Sequence, residues 1–444
     1  MRFAEHSLQL SGNVPLDVVV WAPAEEDASQ LCALLAPHSR RFRTFHLYAY
    51  QPGSKLVDTI SQWTMPQLRQ LTLWASCGFS ILNSGVFGPH TPSITELTLS
   101  NIPYWLGDAC GGLRKLLLIR TGHNLTCSQF LHFLAASPQL EELILHNSGP
   151  TRDLGDDVQH PAQLTLPRLA TISIHGSSPK FTEQILAHVK PAASLSLSVS
   201  IPLSSELPSI LDAIGRLEGI KGVNRLRLDI PYNPALRGIL HSTLVGPSSS
   251  YTVTIEDYRR WTLASGASQH LATFLASCNI EEFWVGEGVP YWKGGPWQDV
   301  LEALSSVTKI VFCPCQRFAE LASFAGTAET ASATPFPSLT TAVSLGGLGE
   351  ESLLELERFL EQRVVDALPI HQLVLVSNAG KSRIKSPSVS LTDDAPSQEA
   401  RLQRVRGLVG DVRFERVIGG GFRPDVVQHA LPCQAWTLGQ CYQI

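Results

Sequence analysis

Three signals in this chain have the residue types of catalytic sites, and each fails on spacing or placement. VLVSNAGKS (Val374–Ser382) ends a strand-like run in Gly380, Lys381 and Ser382, as a phosphate-cradling loop does. That loop needs a glycine five residues before Gly380, so that successive N–H groups can turn inward. Leu375 stands there, and a proline-bearing polar stretch replaces the helix that should follow. Cys313-Pro314-Cys315 has one residue between its thiols where a zinc hairpin has two, and no second pair completes the ligand set. The acidic doublets Asp156-Asp157, Glu350-Glu351 and Asp393-Asp394 fall in loops or at helix starts, where solvation or the helix dipole accounts for them. GxSxG and HExxH do not occur. The chemistry read here is therefore non-catalytic, with no enzyme activity, cofactor or metal expected.

Binding chemistry is better represented. Tyr48, Trp74, His146, His175, Arg225, Arg227, Asp229, Glu256 and Trp284 alternate with apolar residues inside strand-like runs. Side chains alternate across a strand, so these positions point away from the leucines that must be buried. Aromatics and arginines among polar neighbours are the composition of interface hot spots. The competing reading is an ordinary solvated sheet face. FWVGEGVPYWKGGPW (Phe283–Trp297) gathers further aromatics around glycines, either as a ligand-gripping loop or as packing over an edge.

The elements that carry these residues repeat. PQLEELILHNSG (Pro138–Gly149) is an LxxLxL frame built on Leu140, Leu143 and Leu145, with the helical pattern TCSQFLHFLAAS in front of it. The last apolar residue of each such frame falls at Val20, Leu47, Leu73, Leu99, Leu118, Leu145, Ile174, Leu197, Leu228, Ile255, Val285, Phe312, Leu345 and Leu375. The thirteen steps run from 19 to 33 residues with a mean of about 27, the period of leucine-rich repeats. A unit of this kind cannot bury its apolar edge alone, so copies must stack. The fold expected is α/β: a right-handed leucine-rich-repeat solenoid over residues 1–380, with a parallel sheet on the concave face and helices on the convex face. The strands should stack in chain order, with breaks near Pro202 and Pro231. Residues 381–400 read as a flexible linker, and 401–444 as a tail with a last strand and cap.

Hydrophobic residues make up 44% of the 444 and charged residues 16%, which is ample core under a thinly charged surface. The net charge of −5 gives no basic field for nucleic acid. No apolar run is long enough to span a membrane. Nine scattered cysteines and an N-terminus without an apolar leader predict a reducing compartment, cytoplasmic or nuclear, in which the Asn124 glycosylation sequon goes unused.

SGNVPLDVVV, LLAPHSRRFRTFHL, MPQLRQLTL and SPQLEELIL resemble the leucine-rich-repeat region of the F-box proteins abundant in mushroom-forming fungi. The resemblance runs as a pattern over roughly residues 10–380 and is specific at these phrases. It implies a substrate receptor of a ubiquitin ligase. The F-box itself is absent, since the ten residues before Ser11 are too few for one, so the ligase adaptor is a partner only if an upstream F-box exists. A fragment, a mis-started gene model and a member that has lost its box all fit. The partner expected is a protein substrate or ligand, and the alternative is a stand-alone scaffold or degenerate repeat protein. The array is also expected to lack a cap at its N-terminal edge.

Overall fold

The structure, a computed structural model, describes residues 2–22, 24–50, 59–60, 62–76, 93–102, 111–123, 126–150, 163–202, 206–229, 239–256, 265–285, 296–312, 336–345, 350–378 and 395–417. It is an α/β protein whose sheet is large and mostly parallel, dividing into two units, Met1–Ile201 and Pro202–Ile444. No described helix is long and apolar enough to cross a membrane.

In the first unit the sheet runs through β1 (Leu16–Ala22), β2 (Phe42–Ala49), β3 (Gln70–Ala75), β4 (Glu96–Ser100) and β5 (Lys115–Ile119). The two-residue β6 (Gly122–His123) follows, then β7 (Glu142–His146), the short β8 (Gly149–Pro150) and β9 (Leu164–Thr165), β10 (Thr171–His175), the short β11 (Val189–Lys190), and β12 (Ser196–Pro202). The large sheet takes them in the order β1-β2-β3-β4-β5-β7-β10-β12, every pair parallel, while the short strands pair among themselves. Register is strict. Val20, Leu47, Leu73, Leu99, Leu118, Leu145, Ile174 and Leu197 form one row across eight strands, the row that the repeated frame marks in the sequence.

That row and the neighbouring one through Leu71, Leu97, Leu116, Leu143 and Ile172 are buried, and burial of each such side chain contributes roughly 1.5–3 kcal/mol. The described helices of this unit are α1 (Arg2–Leu10), α2 (Glu25–Leu35), α3 (Cys127–Ala135) and α4 (Pro179–His188). Helix α3 begins with a capping box: Thr126 Oγ1 accepts from the Gln129 N–H, and Gln129 Oε1 accepts from the Thr126 N–H. Its buried face is Phe130, Leu131, Phe133 and Leu134, and Phe130 meets Phe181 of α4 edge-on at 5.4 Å. Helix α1 precedes the first strand, where the sequence reading placed no helix. Arg41 ties the turn after α1 to the sheet, donating from Nη2 to Ser11 Oγ (2.7 Å) and from Nε to the Val14 carbonyl (3.0 Å).

The second unit holds β13 (Arg225–Asp229), β14 (Ile239–Val245), β15 (Ser250–Glu256), β16 (Glu282–Val285), β17 (Lys309–Phe312), β18 (Thr341–Leu345), β19 (Gln372–Asn378) and β20 (Asp411–Val417). Their order is β15-β14-β13-β16-β17-β18-β19-β20. Chain order therefore breaks: the frames ending at Leu228 and Ile255 are not parallel neighbours. A strand the sequence reading omitted, β14, lies between them and is antiparallel to both. The turn Gly246–Ser249 makes the β14–β15 pair a local hairpin, with the Gly246 N–H donating to the Ser249 carbonyl at 2.9 Å. In β18 the frame position is Ser344, in register with Phe312 and Leu375, so the expected Leu345 lies one residue off.

Strands β16, β17 and β18 are buried on both faces. Near-continuous apolar runs such as KIVF and TAVSL have this meaning in parallel sheets. The described helices here are α5 (Leu207–Gly215), α6 (Ser265–Ala276), α7 (Pro296–Ala303), α8 (Glu350–Val365) and α9 (Ala395–Leu408). Buried Glu357 of α8 is ion-paired to both Arg401 and Arg404 of α9. The stretch read as a linker thus enters a helix at Ala395, and the strand expected in the tail is β20, parallel to β19.

Candidate functional site

Alternation gives the first unit a second sheet face, opposite the leucine rows. It consists of three rows set by register. One is Asp17, Thr44, Gln70, Glu96, Lys115, Glu142, Thr171 and Ser196; the next is Val19, His46, Thr72, Thr98, Leu117, Ile144, Ser173 and Ser198. The third is Trp21, Tyr48, Trp74, Ser100, Ile119, His146, His175 and Ser200. Most of these side chains are half-buried or exposed, against full burial of the leucine rows.

The third row begins as an aromatic run. Trp21 and Tyr48 rings lie 5.8 Å apart and tilted by 32°, Tyr48 and Trp74 6.5 Å apart at 43°, and Tyr50 adds a further contact to Trp74 at 6.4 Å. All fall within the range of favourable aromatic pairs. Trp21 is 51% exposed, Tyr50 55% and Val19 67%, an apolar surface on rigid strands. At the other end of the row the His146 and His175 rings are 6.3 Å apart, and His175 Nε2 lies 3.2 Å from Ser198 Oγ. Burial holds the His146 imidazole below its ordinary basicity, and the Arg120 charge adds to this. His46 is lowered by burial too, against the opposing pull of Asp17 and Glu96.

The ends of these strands are fixed by a run of left-handed residues: Asn101 (φ 55°), Arg120 (φ 50°), Asn147 (φ 48°) and Gly176 (φ 64°). Each turn donates sideways, the Asn101 N–H to the Ile119 carbonyl, Arg120 to His146, and Asn147 to His175 at 2.6 Å. Buried hydroxyls continue the ladder, with Thr121 Oγ1 donating to Ser148 Oγ (3.0 Å) and Ser177 Oγ to the Ser148 carbonyl (2.6 Å). The third row is thus held at constant height from strand to strand.

Charge on the first row is mostly paired. Asp17 accepts from Arg43 and from Thr44 Oγ1, and the Arg43 guanidinium keeps its carboxyl below the usual range. Lys115 bonds Glu142 at 3.2 Å, which raises its pKa. Glu96 has no ion-pair or hydrogen-bond partner among the described residues.

Ser198 and His175 are close enough for a nucleophile and its base. The N–H groups of β10 beside them are committed to its neighbours on both sides and are not available to an oxyanion. No group of three or more metal-capable side chains occurs among the described residues. Burial pushes the Cys32 and Cys127 thiols up to about 12, far from thiolate reactivity.

Of the residues singled out in the sequence, Tyr48, Trp74, His146 and His175 share this third row. Arg225, Arg227 and Trp284 lie in the second unit. There Arg225 Nε is 3.9 Å from Glu282 Oε2, and Arg227 is flanked by Thr243 and Trp284. Trp284 is not a surface residue. It is 5% exposed, donates from Nε1 to Glu282 Oε1 at 2.6 Å, and packs with Val311, Val343, Leu345 and Val374. The alternation that puts it opposite the leucine row is correct, but that side is buried here too. The side chains of Asp229 and Glu256 lie outside the described residues, as do Gly380–Ser382, Cys313–Cys315, Asp156–Asp157, Asp393–Asp394 and the glycine-aromatic loop after Val285. Glu350-Glu351 opens α8, and its side chains lie outside the described residues.

Sequence reasoning missed Trp21, Val19, Tyr50, Leu117, Ile119 and Ile144. The signal for Trp21 was present: with Val18 and Val20 facing the core, alternation puts Trp21 on the other face. For LLLI (Leu116–Ile119) no signal existed, because an unbroken apolar run has no readable phase. Compared with protein-family models and with curated proteins, the chain matches none.

Proposed function

We propose that this chain is a protein-recognition module that reads its partner with the three-row face of the Met1–Ile201 unit and performs no chemistry itself. In this reading the fold is a right-handed leucine-rich-repeat solenoid, with that face concave and the helices on the convex side. The supporting observation is the third row: exposed and half-buried Trp, Tyr and His side chains held at one height by a laddered backbone. Rigid aromatic anchors of this kind contribute most of the binding energy of protein interfaces. The resemblance to fungal F-box proteins gives the process, selection of substrates for ubiquitination in the cytoplasm or nucleus. The ligase adaptor would dock an F-box upstream. A stand-alone scaffold would use the same face.

The test is photo-crosslinking in cells from a reactive amino acid placed at Thr98, at the centre of the face, and at exposed Lys180 on α4. Adducts should form from position 98, vanish when Thr72→Arg adds bulk and charge beside it, and be absent from position 180. Equal adducts from both positions, or persistence with Thr72→Arg in a protein that melts normally, overturn the assignment of the face.

A further inference from the structure

The sheet of the first unit changes character from one end of its strands to the other. Near the strand starts, cations and carboxylates stand together and pair: Arg43 with Asp17, Arg114 with Glu141, and Lys115 with Glu142. At the far ends of β5, β7, β10 and β12, residues 119–123, 146–149, 175–180 and 198–202 include no Asp or Glu. They include Arg120, His146, Asn147 and His175 instead. In a chain of net charge −5 this is a local excess of positive charge and donors, not part of a general basic surface.

Register and backbone bonds bring these groups together. Ile119, His146 and His175 are in register on neighbouring strands. The Arg120 N–H donates to the His146 carbonyl at 2.7 Å, and the Asn147 N–H to the His175 carbonyl at 2.6 Å. The two imidazoles lie 6.3 Å apart, and the Arg120 charge reaches His146, adding to the loss of basicity that burial causes. Donor capacity is left over. Arg120 and Asn147 are exposed, and among the described residues neither side chain has an ion pair or hydrogen bond. The His146 ring makes no hydrogen bond among them either. His175 Nε2 holds the Ser198 hydroxyl, which can turn its proton outward when the ring donates.

Charge matching decides between oxyanions. Arg120 supplies one full charge on a planar fork of N–H groups, the counterpart of one carboxylate. A phosphoryl dianion would leave its second charge unanswered at neutral pH, because burial keeps the His146 imidazole uncharged there.

We propose that Arg120, His146, Asn147 and His175 form a docking site for an acidic side chain, Asp or Glu, of the protein partner. The proposal rests on the reading of this face as a protein-recognition surface and names the partner's chemistry at one end of it. A carboxylate seated there favours the protonated imidazole, so docking draws a proton onto His146 and tightens as pH falls from about 8 to 6. Among the described residues, the other charged or titratable groups facing His146 are Arg120 from β5 and His175 from β10. Lys115 and Glu142 stand at the opposite end of their strands, and β12 brings serines.

The experiment titrates the full chain with a hexaglutamate peptide at about pH 6 and about pH 8, followed by calorimetry and by histidine ring signals in NMR. Saturable binding is expected, several-fold tighter at the lower pH. Arg120→Gln should weaken it roughly three- to fivefold, as loss of one exposed charge pair does. His146→Gln should remove most of the pH dependence. Arg216→Gln, which removes the same charge in the second unit, should change nothing. The wild-type His146 ring signals should move as peptide is added, which tests the site even where a variant fails to fold. Absence of binding overturns the proposal, as do His146 signals unmoved at saturation, equal weakening by Arg120→Gln and Arg216→Gln, or an affinity indifferent to pH. Hexaglutamine binding as well as hexaglutamate overturns the role of charge, and a phosphoserine peptide that competes better than hexaglutamate overturns the choice of carboxylate. The wider reading is scored separately: if crosslinking from Thr98 persists while hexaglutamate fails to bind or compete, the carboxylate proposal falls and the recognition face stands.

Discussion

Gly176 closes β10 in the left-handed region, at φ 64°, directly behind the row that carries His146 and His175. A Cβ there would overlap the amide oxygen of Asn147 and stand 2.9 Å from its Cγ. Gly176→Ala therefore imposes two separate costs. Left-handed backbone costs an L residue about 1–2 kcal/mol. Turning the exposed Asn147 amide off its rotamer adds roughly 0.5–1 kcal/mol more. The expected loss is about 1.5–3 kcal/mol, read as a lower urea midpoint at unchanged slope. The two costs separate in a double variant. Asn147→Gly removes the obstructing amide and accepts the positive φ of 48° without strain, so Gly176→Ala/Asn147→Gly should regain the steric share and retain the backbone share. Histidine ring signals in NMR should shift in the single variant and return in the double. A single variant losing under about 0.5 kcal/mol, or strictly additive effects of the two substitutions, refutes the argument.

Arg363 of α8 is 1% exposed and donates to the Phe336 and Leu339 carbonyls at 2.9 and 3.1 Å, so Arg363→Met should cost about 3–5 kcal/mol by leaving both acceptors dry. For a unit of this size that is a fall in melting temperature of roughly 10 °C, and calorimetry within 2 °C of wild type, about the least that 1 kcal/mol would move, would contradict it. Trp284→Ala should likewise cost about 3–5 kcal/mol as a core truncation, whereas a surface role would leave the melting temperature near wild type. Burial holds the His46 and His146 imidazoles below their ordinary 6.5, so the unfolded chain takes up the proton first. Stability from these groups is then full above about pH 6.5 and is lost as pH falls through the depressed folded values. Melting temperature should drop on acidification from about pH 7.5 to 5.5, and His46→Asn should flatten that slope; a slope unaltered by the substitution would assign it elsewhere.

The sequence is most legible where one face of a strand is wet. From Val20 to Leu197 the leucine frame names the register row without error, because polar neighbours give the alternation a phase in β2, β3, β4, β10 and β12, and the repeat period carries the frame across the apolar runs of β1, β5 and β7. Tyr48, Trp74, His146 and His175 follow from the same phase. Legibility fails where both faces are buried: KIVF and TAVSL carry no polar marker, so Leu345 passes for the frame residue that is Ser344, and Trp284 passes for a surface residue. It also fails at ILHSTLV (Ile239–Val245). This run precedes Gly-Pro-Ser-Ser and a second β-rich run, which is hairpin chemistry, but an expectation of steady repeats hides it.

The reversed strand β14 has a consequence for how the second unit assembles in time. In the first unit a strand finds its neighbour a short way along the chain, Lys115 pairing with Glu142 after 27 residues. Arg225 must wait for Glu282, 57 residues on, because β14 and β15 intervene. Loop closure over twice the length costs about 0.6 kcal/mol more, a modest penalty in equilibrium that falls wholly on the search. The hairpin closes first, since only a four-residue turn separates Val245 from Ser250. Strand β13 pairs with the hairpin on one side and with β16 on the other, so it is the junction through which the hairpin joins the rest of its unit.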